Sequence, residues 1–127
     1  MKPSVMLTVA SLLSLLLIMF HLTDDVLLQA VGSVKYPIPV VIFVVWLYGT
    51  LMLRDRASGH IIMLLGGLIA AGMIVVHSRD FVVRKSGGFF FVWTLFALSA
   101  TGWFTTILSA RGLWQILRSR RAGLPVT

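Results

Sequence analysis

Four stretches of the chain are long, apolar and nearly free of charge, running Val5–Leu22, Ile38–Leu53, His60–Val76 and Phe89–Ala110. An α-helix needs about 17 to 25 apolar residues to cross a hydrocarbon core roughly 30 Å thick. Within lipid each backbone amide must be paired, and a single segment achieves that only as a helix. These stretches therefore predict an all-α integral membrane protein. The expected fold is one up-down-up-down bundle of four transmembrane helices over residues 1–127, with both termini on the same side.

Composition narrows the class further. Charged residues make up 12% and hydrophobic residues 58% of the 127 positions, whereas a soluble domain carries about 25% charged residues. The connecting segments reach only about twelve to fifteen residues, which leaves no room for a second, aqueous domain. The net charge of +7 lies in short clusters at helix ends. It therefore reads as a report of orientation and not as a nucleic-acid footprint. One side would hold Lys2, Arg54, Arg56, Arg111, Arg118, Arg120 and Arg121, the other Lys35, Arg79, Arg84 and Lys85. The basic excess predicts cytoplasmic termini, and Asp24, Asp25 and Asp80 fall on the opposite, outer side. Cysteine is absent, which excludes thiol and disulfide chemistry. Met1 and Lys2 ahead of an apolar run mimic a secretory signal. The run exceeds a typical signal core and no small-x-small site precedes Asp24, so it is expected to stay as the first span.

Local patterns refine this arrangement. Thr8, Ser11 and Ser14 form a polar line on the first helix, expected to bond to i−4 carbonyls or to face a neighbour. Thr23 before two acids has the form of an N-cap. It predicts either a short surface helix from Asp24 to about Val31 or a first span that simply continues. Pro37 and Pro39 suit the entry to the second helix, where Trp46 and Tyr48 read as interfacial belt residues. Gly66 with Ala70 and Gly67 with Ala71 are small-xxx-small pairs that permit close helix approach. They predict either a central third helix or a homodimer face. Thr94, Ala97, Thr101 and Thr105 form a small, polar stripe expected to face the third helix. Arg111, Arg118, Arg120 and Arg121 lie in a basic interfacial tail, 111–127, expected to meet anionic lipid headgroups.

Several segments carry a resemblance to small bacterial four-span membrane proteins of unknown function. They are Leu22-Thr23-Asp24-Asp25, Ser58-Gly59-His60-Ile61-Ile62-Met63-Leu64-Leu65-Gly66, Ser86-Gly87-Gly88-Phe89-Phe90-Phe91-Val92-Trp93-Thr94 and Ser109-Ala110-Arg111-Gly112-Leu113-Trp114. The resemblance implies a bacterial inner-membrane setting and supplies no activity.

Ionisable groups near a bilayer are costly to desolvate, so their placement carries functional information. His21 precedes Asp24 and Asp25 by three and four residues, one helical turn, and His77 precedes Asp80 by three. Both groups belong to the outer face. Two imidazoles with carboxylates suit zinc, or a proton-linked switch, because imidazole titrates near neutral pH. The same residues serve equally as helix-end caps paired with Lys35, Arg79, Arg84 or Lys85. The two histidines also suggest axial haem ligation inside a bundle. His60 stands alone at the inner end and is expected to meet Asp55 or lipid phosphate.

Absences count too. No Asp, Glu, Lys or Arg lies inside any of the four spans, which argues against multidrug antiporters that place a carboxylate in mid-membrane. Phe90, Thr94 and Ser99 would suit an anion pore, yet the basic, glycine-rich N-terminus of four-span fluoride channels is missing. No nucleophile has a base at its own depth, so an enzyme is not expected. The leading expectation is a non-catalytic, self-associating structural or accessory subunit without a cofactor, working in a homo-oligomer or a larger membrane complex. The alternatives are a small channel or carrier using the outer His/Asp group, and a metal- or haem-binding membrane protein.

Overall fold

A computed structural model describes residues 2–28, 37–77 and 89–122. Four helices account for nearly all of them: α1 (Pro3–Leu28), α2 (Pro37–Met52), α3 (Ala57–Val76) and α4 (Phe89–Arg121). Three are long and apolar enough to cross a membrane, over Pro3–Thr23, Ala57–Val76 and Val92–Arg121. The α2 helix is apolar but has 16 residues, a length of about 24 Å at 1.5 Å per residue.

The first helix runs on through Leu28 as one element, so no separate surface helix starts at Asp24. Thr23 does not act as an N-cap. Its hydroxyl donates to the Met19 carbonyl at 2.8 Å, the back-bond expected of a threonine inside a helix. At the other end of the chain, the basic stretch through Arg121 is not a separate tail but the last turns of α4.

Neighbouring helices run antiparallel, as residue pairings along each interface show. Gly49 and Trp46 of α2 lie against Ile62 and Gly66 of α3. Gly67, Ala70 and Ala71 of α3 lie against Gly102 and Thr106 of α4. Ser14 of α1 meets Thr105 of α4. Each glycine contact is closer than a side chain permits. A Cβ on Gly67 would meet Thr106 Oγ1 at 2.6 Å and the Gly102 carbonyl at 2.9 Å. Both small-xxx-small pairs are therefore used inside the bundle. Gly66, Gly67, Ala70 and Ala71 are all buried, and the homodimer face expected of them is occupied by Trp46 and α4.

The core combines Leu7, Leu15, Leu17, Ile18, Trp46, Met63, Ala70 and Leu98. Large apolar side chains also cover the outside of every helix, among them Leu16, Val44, Leu65 and Ile107, as a bundle surrounded by lipid requires. Trp46 departs from the expected interfacial belt, being only 1% exposed. Its indole sits over Gly66, and its Nε1 donates to Ser11 Oγ at 2.8 Å. The missing side chain on α3 makes space for the ring, and α1 supplies the acceptor.

Hydroxyls join the helices around that tryptophan. Ser11 and Thr50 are 2.7 Å apart, and Thr50 Oγ1 donates to the Trp46 carbonyl at 2.9 Å. A threonine has one hydroxyl proton, so Ser11 must donate to Thr50. The sequence of donations runs from the Trp46 indole through Ser11 and Thr50 back to the Trp46 carbonyl. Ser14 links Ala10 of its own helix at 3.0 Å and Thr105 of α4 at 3.3 Å.

The α4 face turned to α3 differs from the stripe expected. It carries Ser99, whose hydroxyl donates to the Ala71 carbonyl at 3.0 Å, together with Gly102 and Thr106. Thr105 turns to α1 instead, and Thr101 bonds to Leu98 of its own helix. The two faces of α4 are offset by one residue, a shift that a helical pattern of mixed small and polar residues does not distinguish.

Candidate functional site: a histidine pair at one end of the bundle

Because α1 and α4 are antiparallel, and α4 and α3 likewise, α1 and α3 run in the same direction. Their C-terminal ends therefore lie together. This brings His21 and His77 into contact from positions 56 residues apart in sequence, with ring centroids 4.7 Å apart and planes at 88°. The edge of one imidazole faces the plane of the other. Beside them, Phe20 of α1 meets Phe90 of α4 edge-to-face at 6.3 Å. Phe90 itself is 53% exposed and lies on the outside of the helix pair, not along an internal path.

The two histidines are held differently. His21 is fully buried within α1. His77 caps the C-terminus of α3, with its backbone amide bonded to the Met73 carbonyl at 3.0 Å. Its Nδ1 lies 3.0 Å from the same carbonyl. A carbonyl only accepts, so in this contact Nδ1 carries the proton and donates. Backbone-held Nδ1–H is the arrangement that orients metal-binding and proton-accepting imidazoles.

Of the acids expected to join this pair, Asp24 and Asp25 occupy the next turn of α1. Their side chains, and Asp80 as a whole, lie outside the described residues. Among the described residues no group of three or more His, Asp or Glu side chains comes together as a metal site. Two imidazoles would provide half of a tetrahedral zinc set. The same rings are not spaced as the two axial ligands of one haem. They touch, whereas axial ligands have the iron and the macrocycle plane between them.

The remaining site residues lie at the opposite end. Arg118, Arg120 and Arg121 occupy the last turn of α4, where positive charge complements the helix dipole. Arg111 is exposed three turns from that end of the helix. His60 does not reach Asp55, which instead accepts from Arg54 Nε at 3.3 Å. The His60 ring packs on Gly112, and its Nδ1 is held by the Arg56 carbonyl at 3.1 Å. Sequence reasoning missed Thr50, Gly102 and Gly112. Gly112 has no small residue four positions away to mark it, and Gly102 has only Thr106. No protein-family model, curated protein or solved structure matches the chain.

Proposed function

We propose that this chain is a non-catalytic integral membrane protein of a bacterial inner membrane, acting as a self-associating structural or accessory subunit. All four helices cross the bilayer and both termini are cytoplasmic in this reading. The resemblance of its segments to small bacterial four-span proteins and the distribution of basic residues support the setting and the orientation. The short α2 fits by local thinning of the bilayer, a modest cost per ångström of mismatch.

The observation that carries the reading is the use made of the internal hydroxyls. Ser11, Ser14, Thr50, Thr94 and Thr105 are fully buried. Ser11 with Thr50 and Ser14 with Thr105 bond across helix boundaries, and Ser14 and Thr50 also donate to carbonyls of their own helices. A conducting path would turn such groups towards water, whereas here they act as links between helices. Self-association would use α2, which packs on α3 and α1 and not on α4. Its row of Val40, Val41, Val44, Val45 and Tyr48 is exposed.

Proteoliposomes test this directly. The expected result is no proton or anion flux above that of empty vesicles, with a defined oligomer on chemical cross-linking in the membrane. Flux that depends on Ser11 or Thr105 would overturn the reading.

A second reading, a divalent-cation or proton site at the outer end, is favoured by one specific observation, the contact between His21 and His77. It predicts stoichiometric zinc in protein purified without chelator, lost in His21→Ala and in His77→Ala.

A further inference from the structure

At the end of the bundle away from the histidine pair, α1, α4, the α2–α3 turn and the start of α3 border a partly open cavity of about 660 Å³. Pockets that bind small ligands run from about 300 to 1,000 Å³, and a phosphate alone would occupy a small part of this one. Its wall has two characters. Arg54 of the α2–α3 turn and Arg111 and Gln115 of α4 provide donors, while Met6, Leu7, Leu108 and Ile116 form apolar surface beside them.

Charge within the cavity is uneven. Two arginines line it beside one carboxylate, Asp55, whose ion pair among the described residues is with Arg54 Nε. Arg111 makes no ion pair or hydrogen bond among the described residues, and Arg54 keeps its two terminal nitrogens for a further acceptor. His60 is 8% exposed and is fixed against Gly112 by its bond to the Arg56 carbonyl. The first turn of α1, at Pro3 and Ser4, also borders the cavity and adds the positive end of a helix dipole.

We propose that this cavity binds the phosphate of an anionic lipid, with Arg54 and Arg111 gripping the phosphate oxygens. The glycerol end of the acyl chains would rest on Met6, Leu7, Leu108 and Ile116. Guanidinium forks match phosphate oxygens in pairs, and the adjoining apolar wall favours an amphiphile over a free phosphate. The proposal rests on the membrane-spanning reading above, since it puts the cavity at headgroup depth on the cytoplasmic side. It goes beyond diffuse attraction of the basic helix end, because it names one cavity and two residues.

The test is thermal unfolding of the full chain in phosphatidylcholine–detergent micelles, titrated separately with phosphatidylglycerol, further phosphatidylcholine and soluble glycerol 3-phosphate. Wild type, the cavity variant R54Q/R111Q and the charge-matched variant R118Q/R120Q are compared. Phosphatidylglycerol should stabilise wild type saturably, phosphatidylcholine should not, and R54Q/R111Q should bind about tenfold more weakly while R118Q/R120Q matches wild type. R111Q alone breaks no contact among the described residues and gives the same comparison if the double variant does not fold.

Equal weakening in both double variants, or an equal response to phosphatidylcholine, would overturn the site. An equal shift with glycerol 3-phosphate would overturn the lipid as its source and leave a soluble phosphate ester. The topology is read separately, by impermeant maleimide labelling of S58C in sealed inverted and right-side-out vesicles. Labelling from the outer side would fail the orientation without touching the binding result in micelles.

Discussion

Replacing Ser11 by alanine isolates what a single interhelical hydroxyl contributes. The change removes the acceptor of the Trp46 indole N–H and the donor to Thr50, at a site with no exposure. Leaving a buried donor unsatisfied costs about 1 to 3 kcal/mol. Interhelical hydrogen bonds in membrane proteins measure lower, about 0.6 kcal/mol on average and up to roughly 1.7, because the unfolded helix finds other partners. The three-residue sequence of donations is enclosed and mutually polarising, so a loss of about 1 to 2 kcal/mol is expected. Trp46→Phe removes the donor and part of the ring, adding a packing loss next to Gly66. In the double variant Ser11→Ala/Trp46→Phe no orphaned indole remains, and its cost should fall short of the sum of the singles by about 1 kcal/mol. Reversible unfolding in bicelles, followed by far-ultraviolet circular dichroism, gives the four stabilities. Additivity to within about 0.3 to 0.5 kcal/mol would refute the claim that this bond links α1 to α2.

Other substitutions separate contacts from open surface. Gly66→Leu drives a side chain into the Trp46 ring and should abolish a folded bundle in detergent, seen as loss of a cooperative melt. Gly72→Ala meets nothing within 4 Å, so Tm should hold or rise, by about 0.5 to 1 kcal/mol of helix propensity at most. Ser109 is fully buried with no hydrogen-bond partner for its hydroxyl among the described residues. Ser109→Ala should therefore be neutral or stabilising in the same melt, and a loss above about 1 kcal/mol would show that the hydroxyl has a partner. His77→Ala should uncouple α1 from α3 at the histidine end of the bundle, giving faster amide exchange in the last turns of both helices with little change in the rest.

The number of helices and most of their limits were legible because apolar length is a one-dimensional property. The spacing of small residues on α3 also told correctly that another helix approaches closely there. What it did not tell was which helix. Gly66 receives a tryptophan from α2 and Gly67 receives the backbone of α4, and nothing in the small residues themselves separates the two. Trp46 was misplaced for the same reason. An aromatic near the end of an apolar run normally stays at the interface, and its burial here depends on a vacancy on one helix and an acceptor on another. The sequence put His21 and His77 at one face but not in contact, because contact requires α1 and α3 to end at the same level. The cavity was not legible, since its wall is assembled from three separate stretches of chain.

One continuous helix ties the two ends of the molecule. At 33 residues, α4 is a stiff rod about 50 Å long, roughly 20 Å more than the hydrocarbon layer. Its first turn rests on Phe20, next to His21, and its later turns carry Gly112, against which His60 sits. A rod pivoting near its middle acts as a see-saw. A tilt of 10° displaces each tip by about 4 Å in opposite senses, well within the spread of tilts that membrane helices adopt. A rigid tilt of α4 would therefore move its aromatic end and its basic end together, in opposite senses.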